Sequence, residues 1–242
     1  LKAGRIHVGT SGWHYRHWKG PFYPEDLPQQ EMLAFYARHF ESAEVNNSFY
    51  RLPEERTLRR WCRQVPEGFV FAAKASRYLT HMKKLKDPEG ALEKLFGRLS
   101  LLKEKLGPVL FQLPPRWGMD AGRLRDFLAA LPAQGRFAFE FRDPNWFHPE
   151  IYEALAGRGA AFCIFELAGE LSPREVTSDF VYLRLHGPAG AYEGRYGRQG
   201  LSGWAGALSS WSRAGKDVYC YFDNDEKGYA PQDALLLREM LE

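Results

Sequence analysis

The chain has 242 residues, 45% of them hydrophobic, and sets 33 Lys+Arg against 30 Asp+Glu for a formal net charge of +3. That length fits one large domain spanning residues 1–242 better than two small ones, and the mild basicity permits an anionic substrate but is far from that of a dedicated nucleic-acid binder. Cys62, Cys163 and Cys220 lie far apart and outside any CxxC spacing, which argues against a disulfide framework or a structural zinc site. A cytoplasmic setting is the default expectation. The sequence shows neither an apolar run of membrane-spanning length nor a signal-like start, and it opens at Leu1 rather than Met.

In chain order, Arg5 to Gly9 reads as a first strand, followed by a loop rich in aromatics: Trp13, Tyr15, Trp18, Phe22 and Tyr23. Gln30 to Phe40 has helical spacing, and Ala43 to Asn46 is a short second strand. Pro53 opens a helix with Leu58, Trp61, Cys62 and Val65 on one stripe and Arg56, Arg59, Arg60 and Arg63 on another. Phe69 to Lys74 is a third strand, followed by the basic run His81 to Lys86. Asp87 and Pro88 are expected to cap and open a helix running to Leu106. Val109 to Leu113 is the fourth strand, and Ala121 to Leu131 a helix.

The segment from Arg136 to Trp146 alternates most clearly. Phe137, Phe139 and Phe141 fall on one face of a fifth strand, with Ala138, Glu140 and Arg142 on the other. A strand inside a parallel sheet is normally apolar on both faces, so this charged pair demands a polar site. Pro149 to Gly157 is a helix, Ala160 to Phe165 a sixth strand, and Glu166 to Ser178 an irregular stretch where a helix belongs. Phe180 to Leu185 is a seventh strand, with Tyr182, Arg184 and His186 opposite Val181, Leu183 and Leu185. A glycine-rich loop from Gly187, a helix from Leu201 to Ala214, an eighth strand from Asp217 to Phe222 and a helix from Gln232 to Glu242 complete the chain.

Eight strands alternating with helices predict an α/β fold of the (β/α)8 TIM-barrel type with an irregular sixth unit, an open doubly wound sheet being the alternative. Active sites of such barrels lie at the carboxyl ends of the strands. The helix-averse parity places Glu44, Asn46, Lys74, Gln112, Glu140, Arg142, Arg184 and His186 there, with Asp223, Asn224 and Asp225 after an eighth strand of ambiguous parity. Glu44, Glu140 and His186 are the candidate proton-transfer groups. Asn46, Lys74, Gln112, Arg142, Arg184 and Asn224 are candidate binding residues, with Tyr192 on the glycine-rich loop and Trp13 and Trp146 as stacking surfaces. A structural ion pair of Glu140 with Arg142 or Arg184 competes with the catalytic reading. No metal or other cofactor is expected, because His14, His17, His81, His186 and Asp225 show no strong ligand spacing.

These residues fall in motifs that together resemble the YecE-like family, known as domain of unknown function 72 (DUF72). They are Gly9-Thr-Ser-Gly-Trp13, Trp18-Lys-Gly20 with Phe22-Tyr-Pro24, Glu44-Val-Asn-Asn-Ser-Phe-Tyr50, Phe111-Gln-Leu-Pro-Pro115, Glu140-Phe-Arg142 with Trp146, and Tyr182-Leu-Arg-Leu-His-Gly187. The resemblance implies a β/α barrel and no settled activity. Two segments depart from the pattern: Phe165-Glu166 where the family often has aspartate, and Phe222-Asp-Asn224 where it typically has Phe-Asn-Asn. The expected function is an enzyme acting on a polar or anionic small molecule, such as a sugar or phosphorylated metabolite, by acid/base hydrolase or lyase chemistry. The alternative is a nucleic-acid-binding or processing protein, with the arginine stripe, basic run and loop aromatics as contacts.

Overall fold

A computed structural model describes residues 2–242. Eight parallel strands, β1 (Ile6–Thr10), β2 (Ser42–Val45), β3 (Val70–Lys74), β4 (Leu106–Gln112), β5 (Phe137–Glu140), β6 (Ala161–Leu167), β8 (Phe180–Leu185) and β9 (Asp217–Phe222), run in the order β1-β9-β8-β6-β5-β4-β3-β2. A parallel bridge between Ser11 and Glu44 draws the two end strands together into a nearly closed barrel. Around it lie α1 (Met32–Tyr36), α2 (Glu55–Gln64), α3 (Glu89–Leu99), α4 (Ala121–Ala130), α5 (Pro149–Arg158), α6 (Gly197–Arg213) and α7 (Tyr229–Leu241).

Strand alternation sorts the side chains into two cores. Ala72, Leu110, Ala138, Cys163, Tyr182, Tyr219 and Tyr221 fill the barrel interior. The other parity packs against the helices, with Phe111 and Phe139 stacked at 5.2 Å and Phe111 edge-on to Phe127 of α4 at 5.0 Å. A strand buried on both faces carries apolar residues on both, so only the polar interior residues need a special account.

The barrel seam between β1 and β2 is joined by a side chain. The Tyr36 hydroxyl accepts from Thr10 N (2.9 Å) and donates to Ser42 O (3.0 Å), replacing a rung of the ladder. Gly9 makes this possible, since a Cβ there would lie 2.1 Å from Ser42 O.

Three local expectations are corrected. The helix from Asp87 to Leu106 stops at Leu99, then tightens into 3-10 turns over Ser100–Lys105. Lys103 leaves helical geometry at φ 53°, and β4 begins at Leu106. Asp87 does not cap that helix: it sits at φ 42°, its carboxylate pairs with Lys83 at 3.5 Å, and Pro88 takes the cap position. Gln30 to Phe40 is helical only in part, as a 3-10 turn over Gln29–Glu31 and then α1, although Leu33, Tyr36 and Phe40 are buried as their spacing requires.

The sixth unit is irregular, as the sequence suggests. β7 (Glu170–Leu171) turns back antiparallel on β6, and the chain then runs along β6. Ser172 Oγ accepts from Phe165 N (2.9 Å) and Thr177 Oγ1 from Phe162 N (2.8 Å), so two side-chain oxygens satisfy backbone donors of β6.

Candidate active site

At the carboxyl ends of the strands the interior parity turns from apolar to charged. Arg184, the last inward residue of β8, is wholly buried and is held from three sides. Its Nη1 donates to Glu140 Oε2 of β5 (2.9 Å), and its Nη2 donates to Glu44 Oε1 of β2 (2.8 Å) and to Asp223 Oδ2 after β9 (3.0 Å). Ser11 Oγ and Tyr182 Oη each donate to Glu44, the latter at 2.6 Å. Arg142 pairs through Nε with Glu140 Oε1. Five strands thus converge on one guanidinium.

Burial alone would raise the Glu140 carboxyl, but Arg142 and Arg184 beside it hold it well below the ordinary carboxylate range. Burial works upward on Asp223 as well, and Arg184 and His186 hold that group below its usual value. Burial disfavours the Arg184 cation, yet Glu44, Glu140 and Asp223 hold its pKa well above the ordinary arginine value. The geometry also assigns the His186 tautomer. Nε2 faces Arg142 Nη2 (2.9 Å) and Arg184 Nη1 (3.2 Å), which can only donate, so Nε2 accepts. The ring proton then sits on Nδ1 and is donated to Asp223 Oδ2 at 3.0 Å.

Lys74 stands apart from this closed network. It ends β3, points into the barrel mouth and is largely buried, with Nζ 4.4 Å from the centre of the Phe49 ring. Among the described residues Nζ makes no salt bridge within 4.0 Å and donates no hydrogen bond. Burial, and then the Arg184 charge, pull its pKa down from 10.5 to about 8, outweighing the opposing pull of Glu140, Asp223 and Glu44. Gln112, partly exposed, stands level with Glu140 on the next strand. Asn46 donates to Ser11 Oγ, and its buried Oδ1 has no partner among the described residues. Tyr192 lies edge-on to His186 (5.6 Å between ring centres) and is 44% exposed.

The glycine-rich loop bearing Tyr192 is pinned from behind. Asp233 of α7, fully buried, accepts from Tyr196 N (3.0 Å) and Gly197 N (3.3 Å) at the start of α6. Asn224 Nδ2 bridges Gly194 O and Asp233 Oδ2, both at 2.9 Å. Asn224 therefore ties the loop to α7.

The structure brings Glu44, Asn46, Lys74, Gln112, Glu140, Arg142, Arg184, His186 and Tyr192 to one end of the barrel, and it alters several roles. Trp146 is fully buried, stacked on Phe141 at 4.9 Å with Nε1 donating to Trp117 O. Trp13 is buried edge-on to Trp61 at 4.9 Å. Both are buried among aromatic neighbours and give no stacking surface beside Arg184. Glu44, Glu140 and His186 are fully buried, and each contacts the Arg184 guanidinium. Asp223, Ser11 and Tyr182 belong to the network and were not among the expected site residues. The inward alternation of Tyr182 with Arg184 was the available signal. The histidines weighed as metal ligands diverge: His14 Nε2 meets Asn47 Nδ2 at 2.9 Å, and His17 Nε2 meets Asp225 O at 2.7 Å. Among the described residues no group of three or more His, Cys, Asp or Glu side chains is arranged to hold a metal ion, and none of the helices is long and apolar enough to cross a membrane.

Clefts of about 900 and about 650 Å³ open elsewhere on the surface. The first is lined by Tyr50, Arg51, Tyr78, Lys83, Lys94 and Arg98, the second by residues around His14, Arg60 and Trp61; neither touches the buried network. Neither cleft has the fully buried, mutually bonded charges of the strand ends, so the strand-end cluster is taken as the site.

The sequence profile of the family described as "Protein of unknown function DUF72" matches residues 7–242. UPF0759 protein YunF of Bacillus subtilis is 27% identical over 98% of this chain and 95% of its own length. UPF0759 protein YecE of Escherichia coli K12 is 28% identical over 64% of this chain, which spans 54% of that protein. Among solved structures, the DUF72 family protein TM1631 of Thermotoga maritima superposes with a TM-score of 0.88 at 29% identity, covering 98% of this chain and 99% of that one. The DUF72 family protein EF0366 of Enterococcus faecalis shares the fold, with a TM-score of 0.80 at 19% identity over 98% of this chain and 95% of that one.

Proposed function

As the chain belongs to the DUF72 family, whose description names no activity, we propose from its own residues that it is an enzyme acting at the barrel mouth on an acceptor-rich small molecule. Sugars, sugar phosphates and small carboxylic acids are the classes concerned, and the chemistry is of hydrolase or lyase type. The observation that carries this reading is Lys74, an ammonium without a carboxylate partner among the described residues, beside carboxylates that are paired with Arg184. A desolvated cation of this kind is costly unless something outside the chain completes it. The open groups at the mouth are the Lys74 ammonium, which only donates, and the Gln112 amide and Tyr192 hydroxyl, which donate and accept.

In this reading Lys74 exchanges the proton, since burial and the Arg184 charge bring its pKa down to about 8. Arg142 and Gln112 hold the acceptor end of the ligand, and the Arg184 network fixes Arg142 and the surrounding field without moving during reaction. The test is thermal unfolding of wild type, Lys74→Met and the surface control Lys2→Met against sugars, sugar phosphates and 2-oxo acids. One class is expected to raise the melting temperature of wild type and of the control but not of Lys74→Met. A panel without any shift, or a shift that survives in Lys74→Met, overturns the assignment.

A second reading rests on the cleft of about 900 Å³, where Arg51, Lys83, Lys94 and Arg98 stand beside the exposed rings of Tyr50 and Tyr78. Cations interleaved with exposed aromatics suit a single-stranded nucleic acid. Oligonucleotide affinity would then fall steeply with added salt. No binding at low salt removes this reading.

A further inference from the structure

We infer that Lys74 is a covalent group, whose Nζ condenses with the aldehyde or ketone carbon of a ligand that also carries an anionic group. The inference rests on the small-molecule reading of the mouth and names its substrate class. Three features of the geometry carry it. The backbone that presents Lys74 is fixed, since it is the end of β3 and its carbonyl accepts from Ser48 Oγ at 2.6 Å. Phe49 covers one side of the ammonium, where water would otherwise solvate it. The carboxylates that would normally stabilise the ammonium are already engaged by guanidinium and hydroxyl donors: Glu44 by Arg184, Ser11 and Tyr182, Glu140 by Arg142 and Arg184, and Asp223 by Arg184 and His186.

An amine desolvated beside fixed cations is driven toward its neutral, nucleophilic form, as Schiff-base chemistry requires. The lowered pKa of Lys74 agrees with that geometry. The step balances as a condensation. The nitrogen lone pair forms a C–N bond to the carbonyl carbon, the carbonyl oxygen leaves as water with both amine hydrogens, and an imine remains. Protonated, the imine is an electron sink for cleavage or proton loss at the adjacent carbon, which is lyase chemistry.

The experiment uses the full chain with glyoxylate, an anionic aldehyde, and sodium cyanoborohydride, which delivers hydride to the imine carbon and leaves a stable carboxymethyl-lysine. Peptide mapping by mass spectrometry reads the modified lysines, and thermal unfolding with glyoxylate alone reads binding. Carboxymethylation at Lys74 roughly tenfold or more faster than at Lys83, Lys84 and Lys86 is the expected result, since each pKa unit of lowering is a factor of ten in the free amine fraction. The modification is lost from this peptide in Lys74→Arg. Stabilisation by glyoxylate with no preference for Lys74 overturns the covalent role but leaves the binding site standing. Absence of both overturns the inference together with the reading on which it rests. Wild-type mapping alone decides the matter if Lys74→Arg fails to fold.

Discussion

Arg184 is the residue whose loss the molecule should tolerate least. Its guanidinium is the shared partner of Glu44, Glu140 and Asp223, all buried. Arg184→Met would leave charges in the interior without their compensation, at a cost of about 3–5 kcal/mol. Urea unfolding checks this: a midpoint unchanged from wild type would mean that the network is dispensable. Lys74 predicts the opposite sign. Its folded-state pKa is depressed to about 8 from 10.5, so the folded chain penalises the ammonium below pH 8, and the penalty fades as pH rises from 8 to 10.5. Lys74→Met should therefore be more stable than wild type at pH 7, by an amount on the order of 1–3 kcal/mol, and the difference should shrink across that window. Equal stability at pH 7 would contradict the burial of an unpaired cation. At this scale the inward charges were legible, because Glu140, Arg142, Arg184 and His186 interrupt apolar alternation. Asp223 was not, because β9 is aromatic or apolar on both faces, Tyr219 and Tyr221 inward against Val218, Cys220 and Phe222 outward, and so shows no contrast from which to read parity. The roles of Trp13 and Trp146 were misread for a related reason. An aromatic in a loop looks available until the chain that covers it is in place.

Between elements, one hydroxyl joins β1 to β2 below the Ser11–Glu44 bridge. Tyr36→Phe keeps the ring packing and removes the group that satisfies Thr10 N and Ser42 O. Two buried backbone groups then go unpaired, for a cost of about 1–3 kcal/mol. Hydrogen exchange supplies a local readout. The Thr10 amide should lose protection in Tyr36→Phe while those of β4 and β5 keep theirs; uniform loss would mean that the seam is not a separate weak point. Nothing in the sequence announces such a bridge, since Tyr36 reads simply as a core position of a helix. Strands and most helices were legible from periodicity and from Gly and Pro punctuation. The end of α3 was not, because Leu101 and Leu102 continue the apolar spacing through 3-10 turns, and only the geometry at Lys103 breaks it.

For the whole molecule, the number and alternation of elements sufficed for the barrel, and the family profile and the superposition on TM1631 agree with it. The concentration of charge at one end of that barrel sets its acid stability. Glu140 and Asp223 are held below their ordinary values of 4.5 and 3.8, so their contribution is complete above those values and is lost as pH falls through the lower folded-state values. Stability followed by denaturant unfolding should thus fall as pH is taken below about 4, and Glu140→Gln should flatten that fall. A profile of unchanged slope in Glu140→Gln would place the acid sensitivity elsewhere.

The claim on which the functional account turns is that Lys74 presents a desolvated amine without a carboxylate partner at the barrel mouth. Its most direct test is the pH titration of the Lys74 Nζ and Cε resonances in protein carrying isotope-labelled lysine, assigned by their absence in Lys74→Arg. A midpoint near the value of about 8 set by burial and Arg184 is the predicted result. A midpoint at the ordinary lysine value of 10.5 would contradict the account.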